Sequence, residues 1–185
     1  MNSHIVKYPN KILRETCVKF NFDDPENELE LLTKALKMSC MLLNGYGLAA
    51  PQLGIAGRLF FISPLISNSR PNFFFNPVIR DTEGESQYKE GCLSIPNVWA
   101  WVKRPNRYII EAYNENNEKF ELVAENVSDD PYWTAILHEY DHLDGKLFID
   151  HLDPFEKRKV QKSINKLRSK KNSSNAKTSH RGKRK

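Results

Sequence analysis

No run of roughly eighteen apolar residues occurs in this 185-residue chain, so no membrane-spanning helix is expected. Its opening, Met1-Asn2-Ser3-His4-Ile5-Val6-Lys7-Tyr8-Pro9, lacks the apolar stretch of a secretory signal and the Arg-rich character of an organelle leader. The expectation is a cytoplasmic protein with no membrane partner. Cysteine is scarce: Cys17, Cys40 and Cys92 are odd in number and far apart, which excludes a disulfide framework and fits a reducing compartment. Acidic residues are missing from 157–185, a stretch holding 13 of the 28 Lys and Arg residues. The remaining 15 basic and all 23 acidic residues give 1–156 a charge of −8, against +13 for the end of the chain. An acidic domain with a basic extension describes the molecule better than its net +5. Such an extension is usually a solvated arm, and it can serve as an electrostatic handle for nucleic acid.

With 39% hydrophobic residues, the chain can build one core. Asp24-Pro25 reads as the cap and first position of a helix whose Leu29, Leu32, Leu36 and Leu43 keep helical spacing until Gly45. A connector, Tyr46 to Gly57, leads to strands at Arg58–Ser63, Asn72–Ile79, Val98–Val102, Tyr108–Tyr113 and Lys119–Val123, the last two joined by a turn at Asn114-Glu115-Asn116-Asn117. A second Asp-Pro cap, Asp130-Pro131, opens a helix that Gly145 ends, and Lys146–Ile149 reads as a short strand. A third, Asp153-Pro154, starts a basic amphipathic helix with Phe155, Val160, Ile164 and Leu167 on its apolar side. From 172 to 185 the composition loses periodicity, and disorder is expected. The fold class is therefore α+β: mainly antiparallel strands around a central helix, the one opened by Asp130-Pro131, with an N-terminal and a C-terminal helix. Residues 1–171, the C-terminal helix included, are expected to form one domain and 172–185 a basic tail.

The metal assignment starts from His138-Glu139-Tyr140-Asp141-His142, an H-E-x-x-H on the central helix. Side chains four apart share a helix face, so two imidazoles can bind one ion while the adjacent carboxylate reaches a water on it. Two further segments combine unusual residues. Gly45-Tyr46-Gly47-Leu48-Ala49-Ala50-Pro51-Gln52 is rich in small residues that allow close backbone approach, and it ends in an amide able to donate a hydrogen bond. Glu90-Gly91-Cys92-Leu93-Ser94 places a thiol beside glycine, where a thiolate can complete a three-ligand site and leave one position open for water.

In this order and spacing, G-x-G-L-A-A-P-Q, E-G-C-L-S and H-E-x-D-H-L resemble the three motifs of peptide deformylases. The resemblance covers about residues 5–168, and the C-terminal helix is similar to that of the Gram-negative-like bacterial type. It implies a hydrolase that removes the formyl group from formyl-methionyl nascent chains and releases formate. By the same resemblance Cys92, His138 and His142 are the metal ligands, holding Fe²⁺ that Ni²⁺, Co²⁺ or Zn²⁺ can replace. Glu139 is the general base, and the Gln52 amide and the Leu93 N–H donate to the oxyanion. The peptide lies extended near Tyr46, Gly47 and Gly91, with Thr134 and Ala135 as candidate pocket residues. Departures from the pattern are Leu137 before the first histidine, a longer and more polar lead at Val127–Tyr132, and the bulk of Trp99 and Trp101. Asp141 and Glu90 are expected outside the ligand set, Asp141 orienting Arg104 and Glu90 supporting the cysteine loop.

Two other readings remain. A zinc endopeptidase can use the same H-E-x-x-H, although a cysteine as third ligand argues against it. A nucleic-acid-binding protein would explain the basic end, yet no aromatic residue interleaves the charges after Phe155. A combined reading makes the basic helix and tail a contact for ribosomal RNA while the enzyme meets emerging chains.

Overall fold

Phenylalanine-rich segments set the central sheet in a computed structural model of the chain, which describes residues 5–24 and 28–181. Strands β1 (Gly47–Ala49), β2 (Leu59–Ile62), β3 (Phe73–Glu83), β6 (Arg107–Tyr113) and β7 (Lys119–Ala124) lie in the order β1-β2-β3-β6-β7, every neighbour antiparallel. Strands β4 (Ser86–Cys92) and β5 (Ile95–Arg104) form a separate two-stranded hairpin. Among the described residues four helices accompany them: α1 (Leu29–Leu42), the single turn α2 (Pro64–Ser67), α3 (Pro131–Leu143) and α4 (Pro154–Arg181).

Side-chain alternation places helices on both faces of the larger sheet. Phe60, Ile62 and Phe74 pack with Tyr132 and Ile136 of α3, while Leu59, Phe61 and Phe75 pack with Leu36 and Cys40 of α1. Phe60 and Phe74, paired across β2 and β3, stack with centroids 4.8 Å apart. A third cluster joins the hairpin, through Val98 and Val102, to Phe148, Leu152 and Ile164. The site helix α3 is thus held by the sheet on one side and approached by the hairpin on another.

Its ends follow the expected chemistry. Asp130 accepts from the Tyr132 N–H at 2.9 Å, with Pro131 in the first turn. Just past the helix, Gly145 has φ +67°, and a Cβ there would lie 2.5 Å from the Arg14 carbonyl oxygen.

The elements differ from the sequence reading in identifiable places. α1 begins at Leu29, and Pro25 of the expected Asp24-Pro25 start lies, with 26–27, outside the described residues. The connector contains β1, too short for alternation to reveal it, and β4 forms where Gly91 and a run of polar residues conceal a strand. Lys146–Ile149 is not a strand. Phe148–Asp150 is a 3-10 turn, with Asp150 accepting from the Leu147 N–H at 2.9 Å. In α4, Ile164 is buried but Phe155 is exposed at 72%, because only the later turns reach the hairpin core. The backbone stays helical to Arg181, as a stretch without Gly or Pro permits, and 182–185 lie outside the described residues.

Candidate metal centre

Two elements bring the donors together. His138 and His142 are one turn apart on the buried face of α3, and Cys92 closes β4 opposite them. One ligand atom from each of the three lies within 4.8 Å of the others, and all three residues are buried. The Cys92 Sγ is 3.3 Å from the His142 Nε2, close enough for one ion to reach both at about 2.3 and 2.0–2.1 Å. Glu90 Oε2 meets the His138 Nδ1 at 2.7 Å, which leaves Nε2 as the ligating nitrogen of that ring.

The charges around the donors fit a cation. Burial alone would raise the Cys92 thiol, but the imidazoles of His142 and His138 pull it well below its ordinary value. Burial would lower His138, and Cys92 and Glu90 push it well up instead. A thiolate facing two imidazoles is stabilised here by positive charge, and a divalent ion supplies that charge without the ring protons.

Glu139 lies beside this group with its Oε2 buried and without a hydrogen-bond partner among the described residues. Burial pushes its carboxyl up to about 7, partly opposed by His138 and His142 and reinforced by Cys92 and Glu90. A carboxyl poised near neutrality suits proton transfer in both directions. Against it lies Gly47 of β1, whose missing Cβ would sit 2.6 Å from the Glu139 Cγ.

Gln52 is the third residue of the 3-10 turn Ala50–Leu53 and is buried. Its Oε1 accepts from the Ala49 N–H at 2.8 Å, which orients its Nε2 3.5 Å from the Cys92 Sγ and 3.3 Å from the Ser94 Oγ. The amide donor therefore faces the metal ligands. Leu93 follows Cys92 directly, its carbonyl held by the Lys7 Nζ at 2.7 Å. Gly91 pairs with Trp99 across the hairpin, and Tyr46 is half exposed next to β1. Ala135 is buried one turn before Glu139. Thr134 is buried beside it, its hydroxyl donating to the Val127 carbonyl at 3.1 Å.

Behind the ligands runs a buried ionic chain. Arg104 donates to Glu90 through Nε at 2.7 Å and Nη2 at 2.9 Å, and to Asp141 through Nη1 at 2.6 Å. Burial raises Glu90 less than Arg104 and His138 lower it, so it rests at about 2. Burial likewise works against Asp141, but His151 and Arg104 hold it far below the carboxylate range. Asp141 meets Arg104 as its sequence position suggests. Glu90 carries more than loop support, since it engages a ligand ring directly. His151, 2.7 Å from Asp141, went unrecognised in the sequence because nothing in the spacing of ten residues from Asp141 marks it.

Comparison with known proteins gives one consistent picture. The model of the family described as "Polypeptide deformylase" matches residues 2–158. The chain is 42% identical over 147 residues to a peptide deformylase of Clostridium botulinum, covering 80% of this chain and 94% of that protein. It is 34% identical over 170 residues to one of Elusimicrobium minutum, covering 88% and 94%. Among solved structures, a peptide deformylase from Legionella pneumophila superposes with a TM-score of 0.76 at 28% identity, covering 90% of this chain and 95% of that one. A Plasmodium falciparum peptide deformylase in complex with an inhibitor gives 0.75 at 31%, covering 88% and 97%.

Proposed function

The chain belongs to the polypeptide deformylase family, an enzyme that removes the N-terminal formyl group from nascent peptides with the help of a metal ion, and we propose which of its residues carry that reaction. The convergence of Cys92, His138 and His142 beside Glu139, whose Oε2 has no hydrogen-bond partner among the described residues, supports the assignment most directly. Those three residues hold the ion. The mixed thiolate and imidazole set suits borderline divalent metals, and Fe²⁺ is the proposed resident, with Ni²⁺, Co²⁺ or Zn²⁺ able to replace it. Such an ion, when bound, lowers the pKa of water from about 15.7 toward 7 and polarises the formyl oxygen.

The protein's own groups do the rest. Glu139 takes the proton of the attacking water and returns it to the departing amine, a double duty that its near-neutral carboxyl permits. As the formyl carbon becomes tetrahedral, negative charge grows on its oxygen. The Gln52 Nε2, preset by the Ala49 N–H, and the Leu93 N–H donate to it, each such donor being worth about 2.7–4 kcal/mol of barrier. Collapse releases formate and a free N-terminal amine. The peptide lies along the backbone of Tyr46, Gly47 and Gly91, and its methionine side chain enters a pocket at Ala135. Thr134 lines that pocket with its carbon atoms, its hydroxyl being held by Val127.

We further propose that the enzyme works in the cytoplasm and meets its substrate at the ribosome through the basic α4 and tail. No helix among the described residues is long and apolar enough to cross a membrane. The reaction is tested with protein loaded anaerobically with Fe²⁺ and a short formyl-methionyl peptide. Rapid formate release that collapses in Glu139→Ala is expected. No formate from folded, metal-loaded protein would assign the centre another substrate.

A further inference from the structure

We propose that His151 is a positioning residue for the metal ligand His138, acting through Asp141, Arg104 and Glu90 from the turn that roots α4. This rests on the reading of Cys92, His138 and His142 as the ligand set.

The connection is continuous. The His151 Nε2 lies 2.7 Å from the Asp141 Oδ2 and 3.3 Å from the Arg104 Nη1, and the same Asp141 oxygen takes the Arg104 Nη1 at 2.6 Å. Arg104 grips both oxygens of Glu90, and the Glu90 Oε2 meets the His138 Nδ1 at 2.7 Å. Exposure falls steeply along the chain, from 31% for the His151 side chain to 11% for Asp141 and 3% for Arg104 and Glu90. Within this group two carboxylates share one guanidinium. Asp141 is therefore short of positive partners, and because a carboxylate oxygen only accepts, the shorter of the two His151 contacts places the ring proton on Nε2 as a second donor to Asp141. Without that donor, Asp141 draws more strongly on Arg104, and the grip of Arg104 on Glu90 loosens. The Glu90–His138 bond, which sets the ring plane of the ligand, then loses its fixed anchor.

A second contact comes from the same segment. Phe148, three residues before His151, stacks on the His138 ring with centroids 6.1 Å apart and planes 27° from parallel. Asp150, between them, is pinned by Arg14 and by Lys157 of α4. The turn therefore touches His138 on its face through Phe148 and reaches its Nδ1 through the ionic chain.

The test uses the full chain loaded with Co²⁺, whose thiolate-to-metal absorption and ligand-field bands report the ligand geometry. His151→Phe keeps a ring but removes the N–H. His151→Gln places an amide N–H where the ring Nε2 stood, and His151→Asn places one too short to reach Asp141. Partners of ligating histidines change metal affinity about 10–100-fold, so His151→Phe should release Co²⁺ to a chelator about tenfold faster, the low end befitting an indirect partner. Its ligand-field bands should shift while KM for the formyl peptide stays at the parental value. His151→Asn should behave like His151→Phe, and His151→Gln should restore both parental release and spectrum. Parental release in His151→Asn or His151→Phe, or a fall in melting temperature with unshifted bands, would overturn the proposal. So would equal leakage from His151→Gln. His142→Ala separates the two readings: if it loses Co²⁺ while His151→Phe retains it, only the role of His151 fails, and if it retains Co²⁺ the ligand assignment fails with it.

Discussion

Gly47 lies so close to Glu139 that a Cβ on it would come 2.6 Å from the Cγ and 2.7 Å from the Oε1 of that side chain. β1 is fixed by its pairing with β2, and Glu139 by the helix turn that also holds both histidines, so neither backbone can retreat. Gly47→Ala should therefore swing the carboxylate out of place while leaving the metal ligands alone. Since a displacement of about 1 Å can cost about a hundredfold, kcat should fall by that order with metal content and melting temperature close to parental. Steady-state kinetics beside metal analysis checks this, and an unchanged kcat would remove Glu139 from the position assigned to it.

Arg104 neutralises Glu90 and Asp141 in a region where its side chain is 3% exposed. Replacing it by an apolar residue leaves two buried carboxylates without their cation, Glu90 holding only His138 and Asp141 only His151. Arg104→Met should cost about 3–5 kcal/mol in urea unfolding of the metal-free protein, the usual penalty for breaking a buried pair from one side. Adding Glu90→Gln should recover part of the loss, because one of the stranded charges is then gone. A variant as stable as the parent would mean that water or backbone groups solvate these carboxylates.

Motif spacing made the centre legible and left its surroundings obscure, for reasons particular to each residue. His138 and His142 announce themselves because helical period alone puts them on one face. Cys92 and Gln52 meet them only through the hairpin and the 3-10 turn, contacts across 40 residues or more, so sequence placed them by resemblance and not by geometry. Asp130-Pro131 and Asp153-Pro154 marked helix starts well because capping is local. β4 and the 3-10 turn Phe148–Asp150 escaped notice. The strand is polar on its outward face, and the turn reads as a short apolar run, Leu147-Phe148-Ile149, until Asp150 folds back onto the Leu147 N–H. His151 was invisible because its partner is fixed by that turn.

The two thiols outside the centre give a pH dependence with a definite sign. Burial pushes Cys17 up to about 11, with Arg58 opposing, and burial with the Glu139 charge pushes Cys40 up to about 12, each from a value of 9.0. The folded state therefore holds these protons more tightly than the unfolded chain. Their contribution is fully present below about pH 9 and is lost as pH rises through 11 and then 12. Denaturation between pH 8.5 and 10 should show stability falling with pH, before the raised tyrosines Tyr108 and Tyr132 add to the same trend. Cys40→Ala lowers the curve overall but flattens it, and an equally steep slope in that variant would place the proton uptake elsewhere.

The basic end divides into an anchored part and an electrostatic part, which decides how ribosome docking should be tested. Ile164 is buried with Val160 packed beside it, so a cut after Phe155 would remove core contacts together with all 13 basic residues of 157–185. A stop after Leu167 keeps both apolar anchors and removes eight of those charges, Arg168, Lys170, Lys171, Lys177, Arg181, Lys183, Arg184 and Lys185. If these charges contact ribosomal RNA, the parent should bind ribosomes with an affinity that falls linearly with salt on logarithmic axes, each neutralised phosphate adding about 0.7–0.9 to the slope. The shortened chain should then keep its melting temperature and its activity on a free formyl peptide while both affinity and slope drop. Sedimentation with ribosomes across a salt series reads both quantities. Parental affinity and slope in the shortened chain would confine any docking to the first turns of α4, where Lys157 is already committed to Asp150.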